Sequence, residues 1–228
     1  MKKKPGINEK QNIAQVKICG LTNQDEAAEC VSLGADAIGC VFFPKSPRNV
    51  SLHQAAKIVR ALPSHARAVG VFVNESFTGI MRAVDHCGLH AVQLHGQEPP
   101  ELSERLHQKG LIVIKALFME KDPMVSMAAD YRAAAYLVEF GKGELPGGNA
   151  ISWAWETAMK FSERQPMILA GGLTPGNISR AILSALPDAV DVSSGVESAP
   201  GRKDPDKVAS FIRTVKNCRM DKTLKKIF

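Results

Sequence analysis

Several side chains in this 228-residue chain suit proton transfer or anion binding, and each lies where an apolar run turns polar. Cys19 closes the run VKIC (16–19), and Lys17 falls on the same side of an extended chain. An ammonium at that spacing favours the thiolate, which serves as a nucleophile or a base; the alternative is an inert buried thiol. Glu139 ends AYLVE (135–139) on the face of Leu137. A carboxyl group there donates or accepts a proton, or else pairs with a lysine such as Lys17 or Lys115. Arg48 follows the stiff segment Pro44 to Pro47, and its planar fork suits a carboxylate unless it is simply solvated. His95 is either a substrate-binding group or a satisfied histidine capping its strand. Gly171-Gly172 and Ser194-Gly195 have the makings of a phosphate cradle, because glycines let backbone N–H groups come close and a serine adds a donor.

These residues need a scaffold that gathers chain segments far apart in sequence. Strands are predicted near 16–19, 37–42, 68–73, 91–95, 111–116, 135–139, 167–170 and 189–193. Helical periodicity lies between most of them, at 24–33, 51–62, 99–109, 176–186 and 205–217, and is weakest at about 120–130. The alternation implies a parallel sheet covered by helices. Eight units in this length favour an α/β fold with a single closed (β/α)8 barrel, a TIM barrel of eight parallel strands, over an open doubly wound sheet. All the residues named above then fall at the carboxyl ends of strands, where this fold carries its chemistry. We expect a basic N-terminal extension over 1–14, the barrel over 15–217 and a basic tail over 218–228.

With 45% hydrophobic and 23% charged residues, the composition excludes a wholly disordered chain. The apolar run 110–118 is too short to span a bilayer and contains a lysine. Basic Met1 to Lys4 precede no apolar signal core, so a cytoplasmic protein without a membrane partner is expected. Five scattered cysteines without CxxC spacing point to reduced thiols rather than disulfides or zinc. The net charge of +6 comes from residues 1–14 and 213–228, whose lysines and arginines leave a slightly acidic body between them. Frayed, solvated ends explain this better than nucleic-acid binding.

The segments VKICGLTN (16–23), GADAIGCVFFPKSPRNVS (34–51), AVQLHGQE (91–98), LAGGLTPGNI (169–178) and AVDVSSGVESAPGRKD (189–204) together resemble the phosphoribosylanthranilate isomerase family. The resemblance spans about 16–212. It implies a TIM barrel that catalyses an Amadori rearrangement in tryptophan biosynthesis, with no metal and no organic cofactor. It implies Cys19 as base, an aspartate at the end of strand 6 as acid, and Arg48 on the substrate carboxylate. Gln93 and His95 would line the pocket, and Gly171, Gly172, Ser194 and Gly195 would hold the phosphate. The partner is a small phosphorylated substrate, and a monomer is expected.

One stretch departs from the family pattern. Where the family has an aspartate and a glycine-rich loop, this chain reads EFGKGELPGGNAISWAW (139–155), one residue longer, with Ala150, Ile151 and Ala154 at divergent positions. Glu139 stands at the acid's position and Glu144 is a weaker substitute. The departure leaves two alternatives: a related barrel acting on another phosphorylated sugar, and a barrel that binds its ligand without turning it over.

Overall fold

The computed structural model describes residues 12–141 and 153–228. Its strands are β1 (Gln15–Cys19), β2 (Ala37–Phe42), β3 (Arg67–Phe72), β4 (Ala91–Leu94), β5 (Ile112–Phe118), β6 (Ala135–Glu139), β7 (Met167–Leu169) and β8 (Ala189–Val192). They close in sequence order into a parallel barrel, β8 returning to β1. This is the TIM barrel expected from the alternating pattern.

Helices α1 (Gln24–Ser32), α2 (Leu52–Arg60), α3 (Phe77–Cys87), α4 (Pro100–His107), α5 (Met159–Ser162), α6 (Ile178–Ala185) and α7 (Pro205–Asn217) link the strands on the outside. Local chemistry sets their ends. The Asn23 side chain accepts from the N–H groups of Asp25 and Glu26, and Ser51 and Gln54 form a reciprocal capping box. Pro205 at the first turn and the Asp204 cap start α7. Helix α3, which periodicity left undelimited, runs from the Ser76 cap to left-handed Gly88. The weak crossover after β5 is a 3-10 turn, Val125–Asp130. After β8 a short hairpin, β9 (Glu197–Ala199) with β10 (Arg202–Lys203), precedes α7.

The two-residue period of β1 sends Gln15, Lys17 and Cys19 into the barrel at successive heights. At the bottom, the Gln15 side chain accepts from the Ile227 N–H at 2.7 Å and donates to the Phe228 carbonyl at 3.2 Å. Ile227 and Phe228 pack in one apolar cluster with Ala37, Val69, Ala91, Ile114 and Ala189. The expected frayed tail over 218–228 is therefore packed. Cys218, Met220, Ile227 and Phe228 are buried, and Lys222 donates to the carbonyls of Ser162 and Leu186. Its charge suggested solvation, but apolar side chains alternate with the lysines and one lysine is used to cap carbonyls. Residues 1–11 lie outside the described residues.

Truncation of Ile227 to Ala should cost about 2–4 kcal/mol through lost burial and the void left behind. Urea unfolding followed by circular dichroism measures this, and wild-type stability would mean that the segment adds no packing.

Candidate active site

The opposite, carboxyl-terminal end of the barrel is hollow. One cavity there, about 810 Å³ counted out to its mouth, is lined by Cys19, Arg48, Gln93, His95, Glu139, Gly171, Gly172, Ser194 and Gly195. All nine residues singled out from the sequence meet in this space, although they come from six strand ends. Val41, Val71, Val73 and Leu173 supply apolar wall, and Asp191 and Ser193 add polar groups. Among the described residues, no three His, Cys, Asp or Glu side chains gather as metal ligands.

Cys19 stands opposite Gly39 of β2 in register. A Cβ at position 39 would come within 2.7 Å of the Cys19 Sγ, so the glycine makes room for the sulfur. Lys17 lies below and is fully buried, and its Nζ is 2.8 Å from Asp191 Oδ1. Lys17 favours the thiolate, as the spacing predicts, but burial outweighs it and raises the thiol pKa; Asp191 adds to the rise and Lys203 opposes it. The same enclosure that brings the ammonium close also strips water from the sulfur, and Asp191 shares the ammonium.

Glu139 pairs with neither barrel lysine. Lys17 is committed to Asp191, and Lys115 to Glu98 at 2.7 Å. The neighbour of Glu139 is His95, whose Nε2 lies 3.4 Å from Oε1. Gln93 Nε2 is 2.7 Å from His95 Nδ1. With the amide donating to Nδ1, the ring proton sits on Nε2 and faces the carboxylate. His95 is thus held by site residues and does not cap its strand. Lys115 fixes the backbone on either side of it, donating to the Leu94 and Gly96 carbonyls. The buried Oε1 of Gln93 has no hydrogen-bond partner among the described residues. Glu144 lies outside the described residues.

Arg48 is buried, not solvated, at 8% exposure. Its stem crosses Gly20, where a Cβ would meet the arginine Cδ at 2.4 Å; Gly20 also holds φ +80°. Its Nε and Nη2 donate to the two carboxylate oxygens of Glu197 at 2.8 and 2.7 Å.

The loops after β7 and β8 press together. A Cβ on Gly195 would sit 1.8 Å from the Leu173 carbonyl oxygen, so only glycine fits. The Asn177 side chain staples the β7 loop, accepting from the Thr174 N–H and donating to the Gly172 carbonyl. The indole N–H groups of Trp153 and Trp155 donate to the Ala170 and Gly171 carbonyls. These bonds hold the β7 loop in place, and Gly171, Gly172, Ser194 and Gly195 line the cavity together.

Sequence reasoning missed Asp191, Ser193, Glu197 and Lys203. One signal was available: Asp191 lies two residues before Ser193 in a buried strand, and a carboxylate pointing into a barrel needs a cation.

The rate of Cys19 alkylation by iodoacetamide, read by mass spectrometry, should rise with pH along a limb above that of free cysteine. Asp191→Asn should move the limb to lower pH and Lys17→Met to higher pH. The reverse order would show that the buried pair does not set the thiol.

Residues 16–214 match the family described as N-(5'-phosphoribosyl)anthranilate (PRA) isomerase. The N-(5'-phosphoribosyl)anthranilate isomerase of Desulfatibacillum aliphaticivorans is 52% identical over 214 residues, 94% of this chain and 98% of its own. The phosphoribosyl anthranilate isomerase structure from Thermotoga maritima superposes with a TM-score of 0.83 at 40% identity, covering 90% of this chain and 100% of that one. A second structure of such an isomerase, in complex with reduced 1-(o-carboxyphenylamino)-1-deoxyribulose 5-phosphate, gives 0.80 at 39% identity, with the same coverage. Sequence and fold agree that the chain belongs to the N-(5'-phosphoribosyl)anthranilate isomerase family.

Proposed function

We infer that this cavity carries out the reaction of the family, the Amadori rearrangement of N-(5-phosphoribosyl)anthranilate to 1-(2-carboxyphenylamino)-1-deoxyribulose 5-phosphate, with Cys19 as base and Glu139 as acid. The chain is an isomerase of tryptophan biosynthesis. Glu139 gives a proton to the ribose ring oxygen as the C1′–O bond breaks, and the anilino nitrogen pushes its lone pair into a C1′=N iminium. The iminium acidifies the C2′ proton, which the Cys19 thiolate removes. The enolamine then loses its enol O–H proton and gains one at C1′, giving the ketone.

Cys19 acts from its ionised fraction, the thiol proton having first passed to solvent. Enclosure makes the free thiolate costly, and the iminium formed beside it offsets that cost during the reaction. Arg48 binds the anthranilate carboxylate, while Gly171, Gly172, Ser194 and Gly195 bind the phosphate. Gln93 Oε1 accepts from a substrate N–H or hydroxyl. Fixing both anions aligns the sugar between acid and base, which contributes more than either proton transfer alone. The observation that carries this reading is that Cys19 and Glu139, on strands three places apart around the ring, line one cavity with both glycine loops.

The reading extends to a cytoplasmic enzyme that works as a monomer on a small phosphorylated substrate. Among the described residues no helix is long and apolar enough to cross a membrane. One related Thermotoga maritima enzyme is described as dimeric, so light scattering on the purified chain tests the monomer directly.

Cys19→Ala and Glu139→Gln should each lower kcat by roughly 10²–10⁴-fold. The assay generates phosphoribosylanthranilate in place and follows its fluorescence decay. Undiminished turnover by the first variant removes the base, and by the second the acid. Thermal stabilisation of the wild type by substrate without turnover would leave a binding barrel only.

A further inference from the structure

Arg48 reaches the cavity under a constraint that the family reaction does not explain. Both carboxylate oxygens of Glu197 engage it, at 2.8 Å from Nε and 2.7 Å from Nη2, and the two side chains are 9% and 5% exposed. A two-point bond fixes the plane of a guanidinium as well as its place. It leaves Nη1 as the guanidinium nitrogen without a partner among the described residues, on a side chain that lines the cavity. A simple pair would also cancel the arginine's charge, and a neutral pair attracts a substrate carboxylate poorly.

A third group changes that balance. Lys203 faces Glu197 across the β9–β10 hairpin in register, and its Nζ lies 2.7 Å from Glu197 Oε1. It also donates to the Ser193 carbonyl at 3.2 Å. The Ser193 hydroxyl in turn donates to the Cys19 carbonyl at 3.0 Å, tying the hairpin to the strand that carries the thiol. Arginine, glutamate and lysine together hold one net positive charge in a largely dry setting. Burial opposes the carboxylate of Glu197, yet Arg48 and Lys203 hold it below its usual range.

We propose that Glu197 is the positioning residue of Arg48, fixing its guanidinium plane at the cavity, and that Lys203 restores the positive charge that this pairing removes. The proposal rests on the reading of Arg48 as the group that meets the anthranilate carboxylate. It makes recognition of that carboxylate a property of the β8–α7 hairpin as much as of the β2 loop.

The test compares two ligands: reduced 1-(o-carboxyphenylamino)-1-deoxyribulose 5-phosphate and its phenylamino counterpart, which lacks the carboxyl group. Calorimetry gives the affinity ratio, the carboxylate advantage, expected to be about tenfold or more in the wild type because a charge-assisted bond is formed. Glu197→Ala and Lys203→Met should each reduce the ratio toward one, while affinity for the phenylamino ligand stays near wild type and reports an intact fold. Glu197→Gln, which keeps the shape and one acceptor, covers the case in which the alanine variant does not fold and should also lose most of the advantage. A steady-state readout of the Glu197 variants should agree, with KM rising and kcat largely kept; Lys203→Met is read by the affinity ratio alone, because Lys203 also favours the Cys19 thiolate. Arg48→Met separates the two layers. If it keeps the advantage, the reading of Arg48 fails. If it loses the advantage while Glu197→Ala and Glu197→Gln keep it, Arg48 stands and the proposal is overturned.

Discussion

Where the last strand of the barrel returns to the first, Lys17 of β1 meets Asp191 of β8 in register, 2.8 Å apart and shielded from water. Below this pair Ile227 and Phe228 close the interior, and above it the interior opens into the cavity. Removing one partner of such a buried pair costs about 3–5 kcal/mol, because the remaining charge has nowhere to go. The pair therefore ties ring closure to the chemistry overhead: the aspartate that satisfies the lysine also lines the cavity, and the lysine is the cation that most favours the thiolate of Cys19.

The rim is built by contacts between loops rather than by any one of them. Gly195 is pressed on the Leu173 carbonyl, Gly20 lets the Arg48 stem pass, and Gly96 abuts Asn74 of the β3 end. Lys115 and Glu98 brace the chain around His95 from inside. Each glycine marks a place where a neighbouring segment, by side chain or backbone, comes closer than a methyl group allows. Few of these residues need to touch a ligand, yet together they decide where the ligand-facing groups stand.

The parts of this design that are local were legible in the sequence. The twofold period of β1 put Lys17 and Cys19 on one side, and the period of β6 did the same for Leu137 and Glu139. The rule that barrels carry chemistry at strand ends then gathered Arg48, Gln93, His95 and the glycine loops into one place. What stayed hidden was pairing over distance. Nothing near Arg48 announces that Glu197, 149 residues on, will hold it. The net direction of the thiol shift was hidden for a similar reason: spacing reveals the nearby ammonium, which does favour the thiolate, but neither the desolvation nor the competing aspartate. Residues 218–228 misled by composition, since the lysines concealed Met220, Ile227 and Phe228.

The packing of Ile227 and Phe228 beneath the barrel bears on how the chain acquires its shape. Gln15 must wait 213 residues for the carbonyl of Phe228, and β1 must wait for β8. Contacts of such long sequence separation form late and slow the search. During synthesis the early β/α units can therefore assemble only as an open fan, its inner face wet. The ring shuts only once β8 has been made, and its floor is laid only once Ile227 and Phe228 have followed.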